Sequence, residues 1–353
     1  MIRTLKSSEK AVLKLRALYE SRGYSRFKMS KFEEYDIYAA NRDFLDVGGI
    51  ITFTDPAGKL MALKPDVTMS IIKNSKSLDG GCEKLYYNEN VYRIHNGSNQ
   101  VTEIMQSGLE CIGDIDLYST CEVISIAAKS LSLFDRDFVL DISHMGIVSE
   151  LIDELSLSDS EKKEVISCIS AKNIHELHAL LGVKADKLTS LLTIDPSPAE
   201  ALKELSLLCD TKASIEALSE LESIIAVLDK TGCRNIRLDF SVVQDLSYYN
   251  GVVFQGFIKG IPEKVLTGGR YDPLMKRIGK NSGAIGFGID INQLEKTFDS
   301  DNEYDADIAL VYKPDDDIGT IMIRAEELAG DGKRVAVTSK IGEKAKYKEI
   351  IYV

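Results

Sequence analysis

Residues 238–257 read LDFSVVQDLSYYNGVVFQGF. Two runs in this stretch, LDFSVV and GVVFQGF, are rich in β-branched and aromatic residues, and we predict two strands joined through a short polar connection. The connection holds the adjacent tyrosines Tyr248 and Tyr249, followed by Asn250 and Gly251. Aromatic pairs in strands usually pack a core, which favours a corner of a sheet. The alternative is the wall of a pocket.

Strand-like and helical runs on both sides of this stretch indicate an α+β fold. Before it, GIITFT, LMALKP, KLYYNENVYRI and MQSGLECIG favour strands and CEVISIAAKSLSLF favours a helix; after it, GAIGFGIDI favours another strand. Between residues 147 and 230, Leu and Ile recur at helical spacing. We therefore predict one domain over residues 1–300 that is interrupted by a helical insertion at residues 147–230. The runs DADIALVYK, IGTIMIRAEELAGDGKRVAVTS and YKEIIYV then predict a small α/β unit over residues 301–353.

The composition is that of an ordinary folded protein. Of the 353 residues, 44% are hydrophobic and 28% are charged, and no apolar run reaches the roughly 18 residues that a membrane helix needs. The first 20 residues predict an amphipathic helix with an apolar stripe at Leu13, Ala17 and Leu18, which differs from a signal peptide. We expect a cytoplasmic protein.

Charge and cysteine usage narrow the set of partners. The net charge is −12, and residues 301–353 hold 12 acidic against 8 basic residues. Binding a long nucleic acid requires clustered cations, so we expect no nucleic-acid partner. The six cysteines are scattered without a C-x-x-C pair, and His175 and His178 form the one close histidine pair. We therefore expect neither a metal site nor disulfides.

Several polar residues interrupt the predicted strands. Asp66 and Thr68 follow Pro65, and Arg93 lies in a run that otherwise alternates into a sheet. Gln106 and Glu110 are four residues apart, and an even separation in a strand places both side chains on one face, where they could project into a cavity. The alternative is a surface carboxylate at Glu110 with Arg93 as its salt-bridge partner.

A glycine pair provides a further signal. Gly268 and Gly269 precede Arg270, Tyr271 and Asp272, and paired glycines allow the backbone to approach a ligand closely. An ordinary turn is the alternative.

Six motifs occur in an order that is more specific than any one of them. They are LKPDVT, VYRIH, QSGLECIG, LSYYNGVVF, GGRYDPL and GAIGFGIDI, with the helical insertion between the third and the fourth. This order closely resembles the catalytic domain of histidyl-tRNA synthetase, a class II aminoacyl-tRNA synthetase built on an antiparallel sheet flanked by helices. The resemblance covers about residues 5–297. It implies that the tyrosine pair lies beside an amino-acid pocket, and we prefer that interpretation to the sheet corner.

The resemblance implies residues that bind the ammonium group of free L-histidine. Asp66, Thr68 and Gln106 would take this role, because an ammonium group carries three donors and needs three acceptors. The family usually has glutamate at the position of Asp66, so the reach is shorter in this chain.

The same resemblance assigns the rest of the histidine pocket. Glu110 and Tyr249 would contact the imidazole ring, and Tyr248 and Tyr271 would line the pocket. Arg93 matches the arginine of the second class II motif. In the family this arginine faces the carboxylate of the amino acid and the α-phosphate of ATP.

Other positions depart from the synthetase pattern. Gln244 stands where the synthetases have an arginine, and the last motif ends in Asp290 and Ile291 where they have glutamate and arginine. Asp245 and Ser247 replace a glycine and an aspartate. Adenylate formation concentrates negative charge that positioned cations must stabilise. We therefore expect Gln244 and Ile291 to mark lost catalytic positions, with no catalytic residues remaining.

A retained histidine pocket with lost ATP-binding arginines is similar to the regulatory subunit of ATP phosphoribosyltransferase, a paralogue of the synthetase. The resemblance implies a non-catalytic chain without a cofactor that acts in the first step of histidine biosynthesis and in the histidine response. Its partners would be a short catalytic subunit, a second copy of this chain and free L-histidine. The small unit at residues 301–353 is too short for the full anticodon-binding domain of a synthetase, and its role stays open.

Two alternative functions also stay open: an active histidyl-tRNA synthetase, and a pseudo-synthetase that senses amino acids for another partner. Histidine would act either in the inherited pocket or at a subunit interface.

We expect a homodimer core formed partly by the N-terminal helix and by residues 24–38. Within this segment, residues 27–38 contain four aromatic residues of the type enriched at interface centres, namely Phe27, Phe32, Tyr35 and Tyr38. An ordinary core position is the alternative for each of them.

Overall fold

The computed structural model describes residues 7–39, 49–76, 80–94, 100–243, 248–294, 304–330 and 332–353. The chain forms two compact units, Met1–Thr297 and Phe298–Val353. This division falls close to the boundary that we predict at residue 300.

The helices of the first unit carry the flanking layers and the insertion. In chain order they are Ser7–Glu20 (α1), Tyr35–Ala39 (α2), Thr68–Asn74 (α3), Leu117–Ser132 (α4), Met145–Asp153 (α5), Asp159–Ser170 (α6), Ile174–Leu181 (α7), Asp186–Leu192 (α8), Pro198–Leu208 (α9), Lys212–Lys230 (α10), Asp272–Arg277 (α11) and Ile291–Leu294 (α12), with a short 3-10 turn at Gly182–Ala185.

The strands of this unit build two sheets. They are Ser25–Arg26 (β1), Phe32–Glu34 (β2), Thr52–Thr54 (β3), Leu60–Leu63 (β4), Cys82–Ile94 (β5), Val101–Gly113 (β6), Phe138–His144 (β7), Ile236–Leu238 (β8), Val252–Ile258 (β9), Leu266–Arg270 (β10) and Gly283–Asp290 (β11).

The large sheet is antiparallel through its centre, as we predict. Its strand order is β1-β5-β6-β11-β10-β9-β7-β8, and every neighbouring pair from β5 to β7 is antiparallel. Only the edge pairs β1–β5 and β7–β8 are parallel among the described strands. The small sheet has the order β2-β4-β3 and is antiparallel.

The prediction of two strands joined directly around the tyrosine pair is wrong. β8 ends at Leu238, and β7 lies between β8 and β9 in the sheet. The side chain of Asp239 accepts both the backbone N–H of Ser241, at 3.0 Å, and its hydroxyl, at 2.7 Å. Such an aspartate turn competes with strand pairing, so the β propensity of LDFSVV does not decide its structure.

One face of the large sheet packs against α1 and α4. Tyr19 of α1 is fully buried, with its ring 6.1 Å from that of Phe287 in β11. The predicted helix is present, but the predicted stripe is wrong: Ala11, Leu15 and Tyr19 are buried, whereas Leu13 is 49% exposed. The contact with the sheet selects the face that carries the large tyrosine ring, and this choice depends on tertiary packing.

The helical insertion consists of α5 to α10, as the leucine spacing predicts. Two of its helices begin with capping boxes, formed by Ser158 with Glu161 and by Thr211 with Ser214. α9 begins at Pro198, a favourable residue for the first helical turn. Fully buried leucines such as Leu177 and Leu221 hold the helices together.

The aromatic residues of the segment 24–38 have different environments. Tyr38 is fully buried, and its hydroxyl donates to Glu33. Phe27 and Tyr35 pack, partly buried, against the same hydrophobic cluster. Phe32 is 49% exposed and contacts the ring of Phe53 edge to face at 5.2 Å. For Tyr38 the core interpretation is therefore correct.

In the described residues of the second unit, three parallel strands form a sheet that is accompanied by one helix. Its elements are Ala306–Val311 (β12), Ile318–Gly330 (α13), Val335–Thr338 (β13) and Tyr347–Tyr352 (β14), with strand order β13-β12-β14. Its core contains Ile308, Leu310, Ile321 and Leu328. Across both units, none of the described helices is long and apolar enough to cross a membrane.

Candidate functional site

The centre of the large sheet brings the predicted polar residues onto one face. Gln106, Gly108 and Glu110 follow one another at every second position of β6. In the neighbouring strand β11, Asp290 lies opposite Gln106 and Gly286 lies opposite Glu110. Side chains two residues apart in a strand point to the same side of the sheet. The prediction that Gln106 and Glu110 share a face is therefore confirmed by the strand register.

Glu110 is the centre of a hydrogen-bonded cluster. Its side chain is 2% exposed and accepts the hydroxyl of Thr68 at 2.8 Å and that of Tyr271 at 2.5 Å. A Cβ atom on Gly286 would lie only 1.7 Å from Glu110 Oε2. The glycine in the neighbouring strand therefore provides the space that the carboxyl group occupies.

Burial strongly favours the protonated form of Glu110. Desolvation raises the pKa of the Glu110 carboxyl to about 8, although the hydrogen bonds from Tyr271 and Thr68 act in the opposite direction. The nearby carboxylate of Asp66 raises this pKa further. At neutral pH Glu110 therefore retains its proton for most of the time.

Asp66 and Arg93 lie next to this cluster. Asp66 Oδ1 accepts the backbone N–H of Met69 at 2.9 Å, which fixes the start of α3. Burial raises the pKa of Asp66, and the positive charge of Arg93 opposes this effect. Arg93 Nε donates to the carbonyl oxygen of Pro65 at 3.3 Å. Asp66 is thus close enough to interact electrostatically with both Glu110 and Arg93. Acidic groups beside a guanidinium suit a ligand that carries both an ammonium and a carboxylate group.

The tyrosines form a wall of this site. The ring centroids of Tyr248 and Tyr249 are 4.3 Å apart, and those of Tyr248 and Tyr271 are 5.7 Å apart. Both members of the pair are half-buried and pack against the hydrophobic cluster that contains Tyr271. A Cβ atom on Gly269 would lie 2.8 Å from the Tyr249 ring, so the glycine allows this ring to pack directly against the backbone of β10.

The structure brings most of the predicted site residues together. Thr68, Glu110 and Tyr271 are directly hydrogen-bonded, whereas Gln106 lies further along the same face, between Glu89 of β5 and Asp290 of β11. Ile291 is fully buried at the start of α12. Gln244, Asp245 and Ser247 lie outside the described residues.

Two buried residues of the site were not predicted. Tyr87 is 3% exposed, and its hydroxyl lies 2.6 Å from the position of a Cβ atom on Gly108. It precedes Arg93 by an even number of residues in β5, so strand parity could have identified it. Lys64 is fully buried and pairs at 3.0 Å with Glu89, the residue opposite Gln106. No sequence signal distinguishes Lys64 from an exposed lysine.

Within the described ranges, no group of three His, Cys, Asp or Glu side chains is arranged to hold a metal ion. All six cysteines are free. His178 contacts Thr189 and the carbonyl of Gly182 within the insertion.

The antiparallel sheet and its flanking helices define a class II aminoacyl-tRNA synthetase-like fold. The family model described as histidyl-tRNA synthetase matches residues 3–294, and the chain belongs to this family.

Similar known proteins include regulatory subunits of ATP phosphoribosyltransferase and histidyl-tRNA synthetases. A Clostridium kluyveri protein named ATP phosphoribosyltransferase regulatory subunit is 29% identical over 342 residues, which cover 92% of this chain and 87% of the relative. A solved structure from Bacillus halodurans, described as an ATP phosphoribosyltransferase regulatory subunit/histidyl-tRNA synthetase, has a TM-score of 0.79 at 24% identity and covers 100% of this chain and 96% of that chain.

A third similar protein is a chain of the ATP phosphoribosyl transferase (HisG:HisZ) complex from Thermotoga maritima. It has a TM-score of 0.64 at 20% identity and covers 81% of this chain and 97% of that chain. The predicted fold and the predicted resemblance to these regulatory subunits are confirmed.

Proposed function

We propose that this chain is a regulatory subunit of ATP phosphoribosyltransferase, which acts in the first step of histidine biosynthesis together with a short catalytic subunit. The observation that carries the proposal is the similarity to the Clostridium kluyveri regulatory subunit, because it extends over 92% of this chain and includes both units. A polar cluster on the described part of the sheet, suited to a free amino acid, also supports it.

Free L-histidine is the ligand that we assign to this cluster. Asp66, Thr68 and Gln106 offer acceptors for its ammonium group, and Arg93 offers donors for its carboxylate. Glu110 would contact the imidazole ring, and the tyrosine rings would form apolar walls; the Glu110–Tyr271 hydrogen bond and the packed tyrosine rings support this assignment. The carboxyl group of Glu110 carries a proton at neutral pH, so it can act as a donor or, once the proton moves to the imidazole, as an acceptor.

The chain does not activate histidine in this proposal. Ile291 is an apolar, fully buried side chain at a position where the synthetases carry an arginine. Removing one positioned donor from a developing negative charge typically costs roughly 2.7 to 4 kcal/mol in the barrier. Together with Gln244, the loss would leave a rate too low for translation.

A homodimer forms the core of the complex in this proposal. The exposed Leu13 of α1 and the exposed pair of Phe32 and Phe53 are apolar surface that a second copy would cover. Light scattering at micromolar concentration should give the mass of two chains; a monomer would contradict this part of the proposal.

Reconstitution tests the function. The purified chain is mixed with the short catalytic subunit from the same organism, and formation of phosphoribosyl-ATP is measured with and without L-histidine. We expect activity only when both chains are present, and inhibition by L-histidine. Histidine-dependent ATP–pyrophosphate exchange by the chain alone, at the rate of a working synthetase, would overturn the proposal. Failure to bind or activate the catalytic subunit would instead favour an amino-acid sensor for another partner.

A further inference from the structure

Three polar residues tie the tyrosine segment to the strand end that carries Tyr271. The backbone N–H of Asn250 donates to the carbonyl of Arg270 at 3.2 Å. The side-chain amide of Asn250 donates to Asp272 Oδ2 and accepts the backbone N–H of Asp272, both at 3.2 Å. Arg270 Nε donates to the same oxygen of Asp272 at 2.9 Å. We call Asn250, Arg270 and Asp272 the polar clamp, and it fixes the neighbouring tyrosines relative to one another.

Glu220 of α10 joins the polar clamp to the helical insertion. One of its carboxylate oxygens lies 3.7 Å from a terminal nitrogen of Arg270, and the other lies 3.3 Å from Nε2 of the buried His144. Nδ1 of His144 accepts the backbone N–H of Gly146, so Nε2 carries the proton that faces Glu220. The hydrogen bond from His144 and the charge of Arg270 lower the pKa of Glu220, which is therefore ionised at neutral pH.

A cleft of about 210 Å³ lies beside this contact. Ser149 of α5 and Ala213 of α10 line one side, and Tyr249 and Asn250 line the other. The insertion and the tyrosine segment therefore face each other across open space here instead of packing together. The backbone N–H of Met145 also donates to the carbonyl of Gly251, at 2.9 Å, but this bond does not involve α10.

The position of the Arg270 side chain depends on both ends of this link. A Cβ atom on Gly251 would lie 3.1 Å from Arg270 Cδ, so the arginine stem lies directly over the backbone that follows the tyrosines. Arg270 is 24% exposed and Asp272 is 14% exposed. The guanidinium is hydrogen-bonded to Asp272 on one side and attracted by the carboxylate of Glu220 on the other, so both contacts restrict its rotation.

We propose that Glu220 is a positioning residue for the pocket lined by Tyr248, Tyr249 and Tyr271. It acts through Arg270 to fix the segment 248–250, and this contact couples the helical insertion to the pocket. A ligand bound beside the tyrosines then changes the affinity of the insertion for a partner. Binding of that partner changes the affinity for the ligand by the same factor, since coupling between two sites is reciprocal.

Substitution Glu220→Gln tests the proposal in the full chain. We expect L-histidine to bind about fivefold more weakly by calorimetric titration, at the lower end of typical coupling because the pair is partly exposed. Glu216→Gln is the matched control: Glu216 lies one turn earlier on the same helix, is 69% exposed and forms a loose ion pair with Lys212 at 3.8 Å. The control should bind histidine as the unchanged chain does, and both variants should retain the thermal unfolding midpoint within about 2 °C.

A double-mutant cycle separates the two partners of Glu220. If Glu220 acts through Arg270, adding Glu220→Gln to Arg270→Met, which removes the positive charge facing Glu220, should weaken histidine binding no further than Arg270→Met alone. Additive effects of the two substitutions would show that Glu220 acts through His144 or the helix itself, and would overturn the proposal.

Hydrogen exchange provides a measurement that does not require a ligand. In Glu220→Gln, amides of the peptide 248–256 should exchange faster than in the unchanged chain, whereas Glu216→Gln should leave them unchanged. Equal exchange in all three proteins would refute the positioning role. The titration depends on the proposed histidine site; if the unchanged chain binds no histidine but the exchange rates differ as expected, the histidine response fails and the positioning role stands.

Discussion

The buried carboxyl group of Glu110 should make the stability of the first unit depend on pH. In the unfolded chain this group ionises near its ordinary pKa of 4.5, and in the folded chain near about 8. Between these two values the folded state holds the proton more tightly, so stability decreases as the pH rises. The loss begins near pH 4.5 and is complete slightly above pH 8. Replacing the carboxyl group with an amide, in Glu110→Gln, removes this dependence while retaining hydrogen-bonding atoms for Thr68 and Tyr271.

The expected magnitude follows from the two pKa values. One pKa unit corresponds to about 1.36 kcal/mol, so the difference between 4.5 and about 8 amounts to about 5 kcal/mol. No large allowance for solvent screening is needed, because the side chain is only 2% exposed. The stability of Glu110→Gln relative to the unchanged chain should therefore increase by about 1.4 kcal/mol for each pH unit between pH 5 and 8.

Urea unfolding followed by circular dichroism, at pH values from 5 to 9, measures this difference. Glu103→Gln is a suitable control, because Glu103 lies in the same strand but is exposed, and hydrogen bonds from Asn90 and Tyr92 lower its pKa. That variant should follow the unchanged chain across the whole range. Parallel stability curves for Glu110→Gln and the unchanged chain would refute the assignment of a buried, protonated carboxyl group.

Three further predictions concern the pocket and its surroundings. Glu110→Ala should weaken inhibition of the assembled phosphoribosyltransferase by L-histidine while leaving assembly and uninhibited activity nearly intact; an unchanged inhibition curve would show that histidine acts elsewhere. Gly286→Ala places a Cβ atom 1.7 Å from Glu110 Oε2, so it should cost about 1–3 kcal/mol in urea unfolding and abolish histidine binding in titrations; normal binding would contradict the position of Glu110. Lys64→Met leaves the mostly buried Glu89 without its cation and should lower the free energy of unfolding by about 3–5 kcal/mol. Lys59→Met breaks a half-exposed pair and should lower it by less than about 1 kcal/mol. Equal losses of stability in urea unfolding would exclude a buried ion pair at Lys64.

Local periodicity predicts some parts of this site and not others. The shared face of Gln106 and Glu110 follows from strand parity alone, and the leucine spacing predicts the helical insertion. The contact of Tyr271 with Glu110 joins residues 161 positions apart, so it depends on the strand order, which no local pattern contains. The strand that we predict over LDFSVV is wrong for a local reason, because the turn at Asp239 outweighs the strong β propensity of these residues.

The N-terminal helix shows the same limit in a different form. Its helical character follows from the sequence, but several of its faces carry apolar residues. The sheet selects the face with Tyr19 and leaves Leu13 exposed, and only the packing partner decides between them. Residues of this kind, apolar but not used by the core, are the ones that a second copy of the chain could cover.

The energetics of Glu110 also bear on whether the pocket is an inactive remnant of a synthetase. A carboxyl group whose ionisation is suppressed by burial lowers stability at neutral pH, and a neutral side chain of similar size at this position would remove that cost. The chain meets the cost with hydroxyls from two distant segments, Thr68 and Tyr271, and with a glycine in the adjacent strand. A scaffold needs none of these features to hold an antiparallel sheet together, so their presence supports the proposed histidine site. Buried groups with strongly shifted pKa values are enriched at binding and catalytic sites. In the proposed function, the buried apolar side chain of Ile291 goes with a site that binds histidine without activating it.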